Sequence, residues 1–170
     1  MEQALVLQLA SDKPPDIGGN SPSSCYDCGV CTGGCPVSRF NTRYNPRNLL
    51  KEYLRDPSSL AESELIWMCA ICYTCSERCP QGIDLPEAFI AVKNIAAKMG
   101  RVPSHLRSEV TALVRNGWTV TISQSIASRR SELGLPKLPS PNLEQISKLT
   151  DGSTLKRVSS RAEVEAGRRS

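Results

Sequence analysis

The 170-residue chain has few of the residues that build large cores and none of the motifs that bind nucleotides. Only 39% of its residues are hydrophobic and 5% aromatic, which argues against a large apolar core over the whole length. It contains no glycine-rich dinucleotide motif, no P-loop and no adjacent pair of cysteines. We therefore expect that the chain transforms no organic substrate by itself.

Signals for export and for membrane insertion are also missing from the sequence. The first ten residues, MEQALVLQLA, carry an acidic residue where a secretory signal is positively charged, and their apolar run is short. No segment approaches the roughly 18 to 20 apolar residues that cross a bilayer. We expect a cytoplasmic protein with no direct membrane insertion. In a reducing compartment, cysteines are more often metal ligands than disulfide partners.

Eight cysteines stand out against this background, and all of them fall into two copies of one pattern. The pattern is C-x2-C-x2-C-x3-C-P, and it runs from Cys25 to Pro36 and again from Cys69 to Pro80. In two-cluster ferredoxins, three cysteines of such a motif hold one 4Fe-4S cluster and the fourth ligates the other cluster. The predicted ligands of cluster 1 are Cys25, Cys28, Cys31 and Cys79, and those of cluster 2 are Cys69, Cys72, Cys75 and Cys35.

Zinc and disulfides are the alternative uses of these cysteines. A zinc ribbon needs two C-x2-C pairs for each metal ion, which leaves the third cysteine and the Cys-Pro of each motif without a purpose. Two oxidised clusters, each with a charge of about −2 including its thiolates, would bring the formal net charge of +4 to roughly zero. The mild basicity of the sequence therefore belongs to the cluster-free chain.

Several residues beside the cysteines are candidates to support the clusters. Gly29, Gly33 and Gly34 lack side chains and would let the backbone approach a cluster, although ordinary turn glycines are the alternative. Pro36 and Pro80 are expected to direct the preceding cysteine away from its own motif.

Bulky side chains around the second motif are candidates to exclude water from cluster 2. These are Trp67, Ile71, Tyr73 and Phe89, and exclusion of water would tune the reduction potential of the cluster. Simple core packing is the alternative role for each of them.

The rest of the sequence predicts a mainly α fold. Asn45 is a plausible N-cap and Pro46 a first-turn residue for a helix, and apolar residues recur at helical spacing after Ser58, Asp84 and Ser104. We expect an α-helical ferredoxin with two clusters between short helices and with flexible termini. The predicted domains are a flexible leader over 1–24, a dicluster ferredoxin domain over 25–135, and an extended, partly disordered tail over 136–170.

Four segments together resemble the small iron–sulfur subunit of heterodisulfide reductases and its relatives in bacterial complexes. The segments are CYDCGVCTGGCPVS, YNPRNLL, IWMCAICYTCSERCPQGIDLPE and KNIAAKMG. The resemblance covers nearly half of the chain. It implies an electron-transfer protein that works between two partner subunits. One partner is a flavoprotein that also carries iron–sulfur clusters, and the other is a catalytic subunit with noncubane iron–sulfur clusters.

Two other functions are compatible with parts of the sequence. The same relay could serve a succinate, lactate or glycerol-phosphate dehydrogenase, although in many of these the helical ferredoxin module is fused to further domains. A zinc-binding nucleic-acid module is a more remote alternative. Its basic C-terminal run is interrupted by Glu163 and Glu165 and has no aromatic residues, so we expect no nucleic-acid partner.

Overall fold

The computed structural model describes the backbone of residues 20–167 and the side chains of residues 20–160. Within this part, the chain is mainly helical, as the sequence predicts. The predicted leader over 1–24 lies mostly outside the described residues, except that a 3₁₀ turn covers Pro22–Ser24. The chain divides into two compact units, of which the first ends at Arg101 and the second begins at Val102.

In the first unit, short helices follow the cysteines and longer helices form the core. From residue 20 onward, the α-helices of this unit are α1 (Val30–Gly33), α2 (Pro36–Phe40), α3 (Pro46–Arg55), α4 (Pro57–Glu62), α5 (Thr74–Glu77) and α6 (Leu85–Lys98). Helices α3, α4 and α6 pack against one another, and α1 packs against α5. The two short helices that follow the cysteine loops are therefore neighbours.

Helix α3 shows why the local sequence forms these elements. The Asn45 side chain accepts a hydrogen bond from the Asn48 backbone N–H at 3.2 Å, which satisfies a free donor at the helix start. Pro46 occupies the first turn, where its missing N–H costs nothing. Leu50 and Tyr53 are fully buried at helical spacing, whereas Leu54 remains 40% exposed.

The segment before the second motif, where apolar residues recur after Ser58, is not one continuous helix. It consists of α4 followed by a 3₁₀ helix over Glu64–Met68. Ser63 separates the two, because its backbone is extended and its side chain accepts from the Leu65 N–H at 3.3 Å. Leu60 and Ile66 are nevertheless fully buried, so the apolar pattern survives the break in the helix.

The second unit contains four α-helices in its described part and a small core. They are α7 (Ser104–Asn116), α8 (Gln124–Glu132), α9 (Leu143–Thr150) and α10 (Thr154–Gly167), and α9 and α10 pack against α7. Among the residues with described side chains, those buried in this unit are Val102, Thr150, Val158 and Ser159. The apolar stripe of α7 is only partly covered.

The compact units do not follow the domain limits predicted from the sequence. Residues 102–135 group with the following helices rather than with the cysteine motifs. Instead of an extended tail after residue 136, the structure has α9 and α10, because Val158 is buried where α10 packs on α7. Residues 168–170 lie outside the described part. None of the helices in the described range is long and apolar enough to cross a membrane.

Candidate metal centres

The two cysteine motifs fold in the same way around their middle cysteine. In the first motif, Asp27 and Gly29 flank Cys28 with φ angles of 57° and 78°. In the second motif, Ile71 and Tyr73 flank Cys72 with φ angles of 51° and 57°. Left-handed backbone is costly for residues other than glycine and persists where the surroundings require it.

Each loop then leads directly into a short helix. Gly29 precedes α1, which contains Cys31, and Tyr73 precedes α5, which contains Cys75. Cys35 is the residue immediately before α2, with Pro36 in the first helical turn. The fourth cysteine of the first motif therefore belongs to the start of another helix and not to the loop.

Cavity 1 is lined by cysteines of both motifs. Its cysteines are Cys25, Cys28, Cys31 and Cys79. Leu50, Ile83 and Leu85 form its apolar wall beside the Arg47 side chain. A set of four thiols around a mostly apolar space is the environment in which a 4Fe-4S cluster is held.

Cavity 2 has the reciprocal composition. Its cysteines are Cys35, Cys69, Cys72 and Cys75. Its wall includes Tyr44, Tyr73 and Phe89. Two sites with the same four-thiol composition fit two identical cofactors. The eight cysteines are all free thiols, so none of them is paired in a disulfide.

The thiols differ in how readily they ionise before metal is bound. Burial raises the pKa of the Cys31 thiol and raises the pKa of Cys75 to about 11. Cys31 itself contributes to the pKa shift of Cys75, so the third cysteines of the two motifs lie close enough to interact. The exposed Cys72 has a lowered pKa because its Sγ hydrogen bonds with Thr74 Oγ1 at 3.5 Å. Since ligands must be thiolates, cluster assembly releases protons from the buried thiols.

Two polar side chains from outside the motifs converge on Cys69. The buried Tyr44 side chain lines cavity 2 together with Cys69, and burial together with its interaction with the Cys69 side chain raises the pKa of Tyr44. The Lys93 ammonium, on α6, donates to the Cys69 carbonyl oxygen at 2.9 Å. Burial lowers the pKa of Lys93, and the charge of Cys69 opposes this shift.

The first motif has a charged neighbourhood of a different kind. Arg47 Nε lies 3.3 Å from Asp27 Oδ1, and Lys51 Nζ lies 2.8 Å from Asp27 Oδ2. The hydrogen bond from Lys51, with the charges of Lys51 and Arg47, lowers the pKa of Asp27. Arg47 Nη1 also donates to the Asp27 carbonyl oxygen at 3.3 Å. The Asp27 side chain thus ties the first loop to helix α3.

Only some of the supporting residues predicted from the sequence line the cavities. Gly29 and Pro80 line cavity 1. Gly33 faces open space, and a side chain at Gly34 would meet Arg78 at 3.1 Å rather than a cavity. Pro36 is exposed and absent from the lining of cavity 2.

The bulky residues of the second motif divide in the same way. Tyr73 and Phe89 line cavity 2, whereas Trp67 and Ile71 do not. Trp67 packs against the core of the first unit, and the Lys93 ammonium lies 5.9 Å from its ring centroid. Ile71 is 37% exposed.

Sequence reasoning missed three residues next to the cavities. Tyr44 and Arg47 line cavities 2 and 1, and Lys93 contacts a predicted ligand through its backbone. Lys93 lies 24 residues from Cys69, and no spacing rule links them. For Tyr44 and Arg47, the only signal in the sequence was their position in YNPRNLL, one of the segments that carry the family resemblance.

Comparisons with known proteins agree with this chemistry. A family model described as a 4Fe-4S dicluster domain matches residues 21–83. An iron–sulfur subunit of CoB–CoM heterodisulfide reductase from Methanocaldococcus jannaschii is 38% identical over 116 residues, which are 68% of this chain and 62% of that protein. The iron–sulfur subunit of the same name from Methanopyrus kandleri is 35% identical over 136 residues, which are 76% of this chain and 70% of that protein.

A mainly helical fold with two four-cysteine cavities and a dicluster match defines an iron–sulfur protein that carries two 4Fe-4S clusters and transfers electrons. This result sets aside zinc as the metal. The chain belongs to the family of small iron–sulfur subunits of heterodisulfide reductase, as the resemblance in the sequence implies. The relatives are all named as subunits of larger enzymes.

Proposed function

We propose that this chain relays electrons between two partners in a cytoplasmic heterodisulfide-reductase-type complex. One partner is a flavoprotein with iron–sulfur clusters, called here the flavin subunit, and the other is a catalytic subunit with noncubane clusters. The names of the relatives, which are subunits themselves, support the need for partners. The dicluster domain is proposed to lie within residues 25–135.

In this proposal, each four-cysteine cavity holds one 4Fe-4S cluster. Cys25, Cys28, Cys31 and Cys79 hold cluster 1, and Cys69, Cys72, Cys75 and Cys35 hold cluster 2. When bound, the clusters supply two one-electron centres.

The crossed lining of the two cavities is the observation that carries this proposal. Each cavity takes three cysteines from one motif and the fourth from the other. Helices α1 and α5, which follow the loops, pack together and bring Cys31 near Cys75. The two centres are therefore held side by side by one set of core contacts, as a relay requires.

Each cavity also has its own route to the surface. Cys28 and Cys72, the middle cysteines of the two motifs, are exposed. Tyr26 is 71% exposed and Val30 41% exposed beside Cys28, and the partly exposed Ile71 and Tyr73 flank Cys72. Exposed apolar side chains around a redox centre are typical of a docking surface. Two such surfaces support one partner at each centre.

The proposal predicts that the two surfaces serve different partners. Tyr26→Ser should slow electron exchange with either the flavin subunit or the catalytic subunit, and Ile71→Ser should slow exchange with the other. The measurement is anaerobic stopped-flow oxidation and reduction of the loaded chain by each partner separately, followed through the visible absorption of the clusters.

Leu54→Ser serves as the matched control, because Leu54 is 40% exposed, close to the 37% of Ile71, but belongs to neither cysteine motif. It should leave both exchange rates unchanged. The relay is contradicted when the loaded chain exchanges electrons with neither partner. The two-surface arrangement is contradicted when Tyr26→Ser and Ile71→Ser slow exchange with the same partner.

A further inference from the structure

Lys93 occupies an unusual position for a lysine. It lies on α6, where its side chain is half-buried, and its ammonium donates to the Cys69 carbonyl oxygen at 2.9 Å. The same ammonium lies 5.9 Å from the centroid of the Trp67 ring. Lysines are seldom buried without a partner, because an ammonium loses much of its hydration there.

No carboxylate balances this charge among the described residues. The contacts of the ammonium are a carbonyl oxygen and an aromatic ring, which are both uncharged. Glu87 lies on the same helix, but it accepts from the Tyr73 hydroxyl at 2.7 Å instead. A cation without a carboxylate partner keeps more of its electrostatic effect on a neighbouring anion than a paired cation does.

The cations near the first motif are placed differently. Arg47 and Lys51 both pair with the Asp27 carboxylate, and their side chains are 36% and 53% exposed. Pairing with the Asp27 carboxylate weakens the field of both cations at cavity 1, and contact with water weakens that of the exposed Lys51 further. The half-buried cation without a carboxylate partner therefore lies beside the second motif, at Cys69.

We propose that Lys93 is a positioning residue whose charge, held against Cys69, raises the reduction potential of cluster 2. A one-electron reduction makes a four-thiolate cluster more negative, so a nearby fixed cation stabilises the reduced form. The effect is to favour the state in which the electron is on cluster 2 and not on cluster 1. The inference rests on the proposed assignment of Cys69 to cluster 2.

The test replaces Lys93 with glutamine, which keeps an N–H donor for the Cys69 carbonyl and removes the charge. In Lys93→Gln, the ratio of reduced to oxidised cluster 2 at a given potential should fall about tenfold, which for a one-electron couple is about 59 mV. The measurement is an anaerobic redox titration of the loaded chain followed by electron paramagnetic resonance. Lys93→Arg, which keeps the charge, should restore a potential close to that of the unmodified chain.

Lys98→Met is the matched control, because Lys98 is an exposed lysine on the same helix. Lys98→Met should change the reduction potential of neither cluster appreciably. The reduction potential of cluster 1 should be unchanged in every lysine variant. If Lys93→Gln binds fewer irons than the unmodified chain, Lys93→Met, which also removes the charge, is measured in its place. The proposal is overturned when cluster 2 keeps its potential without the charge, or when both clusters shift equally. Cys72→Ser independently identifies the electron paramagnetic resonance signal of cluster 2. An error in the ligand assignment would therefore appear in the spectrum of Cys72→Ser and not in those of the lysine variants.

Discussion

At the scale of single residues, the fourth cysteine of each motif lines the cavity of the other motif. Cys79 lies in the second motif by sequence, but it lines the cavity of the first three cysteines of the first motif. Cys35 lines the opposite cavity and is the buried member of the eight. The crossed arrangement ties each cavity to both motifs, so damage at one cysteine should appear at the cluster of the other motif.

Cys79→Ser should therefore damage cluster 1 more than cluster 2. Serine cannot supply the thiolate that the cluster needs, and the three remaining ligands of that cluster all come from the first motif. The measurement is electron paramagnetic resonance of the reduced, reconstituted variant together with its iron content.

The reciprocal variant is Cys35→Ser, which should damage cluster 2 more than cluster 1. The pair forms an internal control, since the same chemical change is made at the same position of each motif. Loss of cluster 2 with cluster 1 intact in Cys79→Ser would refute the crossed ligation.

At the scale of elements, the two loops are structural copies that use different residues. Glycine follows the middle cysteine in the first loop and tyrosine follows it in the second, although both adopt left-handed backbone. Tyr73 is held by its hydrogen bond to Glu87 on α6, whereas Gly29 meets this conformation without strain. At the position after the middle cysteine, the second loop therefore relies on a tertiary contact that glycine does not need in the first loop.

Gly29→Ala should destabilise the loaded chain by about 1 to 2 kcal/mol, because alanine pays a steric cost at positive φ. The measurement is the thermal loss of visible cluster absorption under anaerobic conditions. Gly33→Ala is the control, since Gly33 lies in α1 and a Cβ added there would meet no atom within 4 Å. It should be neutral or stabilise by up to about 1 kcal/mol. Equal losses in the two variants would contradict the role given to the Gly29 backbone.

At the scale of the whole molecule, both cavities are lined by residues of the first unit alone. The second unit has few buried residues among those described and several exposed leucines, including Leu133 and Leu149. Its helices α9 and α10 cover α7 without adding a residue to either cavity. Cluster binding should thus not require this unit.

A chain that ends at Arg101 should therefore still take up two clusters. Anaerobic reconstitution should give about eight irons per chain, the same as for the full chain. Iron content and the redox titration of both clusters provide the measurement. Uptake of half the iron or less by the shortened chain, with full uptake by the complete chain, would show that the second unit supports a cavity.

Sequence alone determined the cofactor, the family and the helical fold, because cysteine spacing and helix capping act over a few residues and can be read locally. Such local patterns are the helix start at Asn45 and Pro46 and the two C-x2-C-x2-C-x3-C-P motifs. The tertiary structure decided which other side chains meet the cysteines. Lys93 reaches the Cys69 carbonyl because α6 lies beside the second motif, Tyr44 is buried at the cavity that Cys69 also lines, and α10 packs on α7 with Val158 buried. Such contacts depend on packing between segments distant in sequence, which no local pattern encodes.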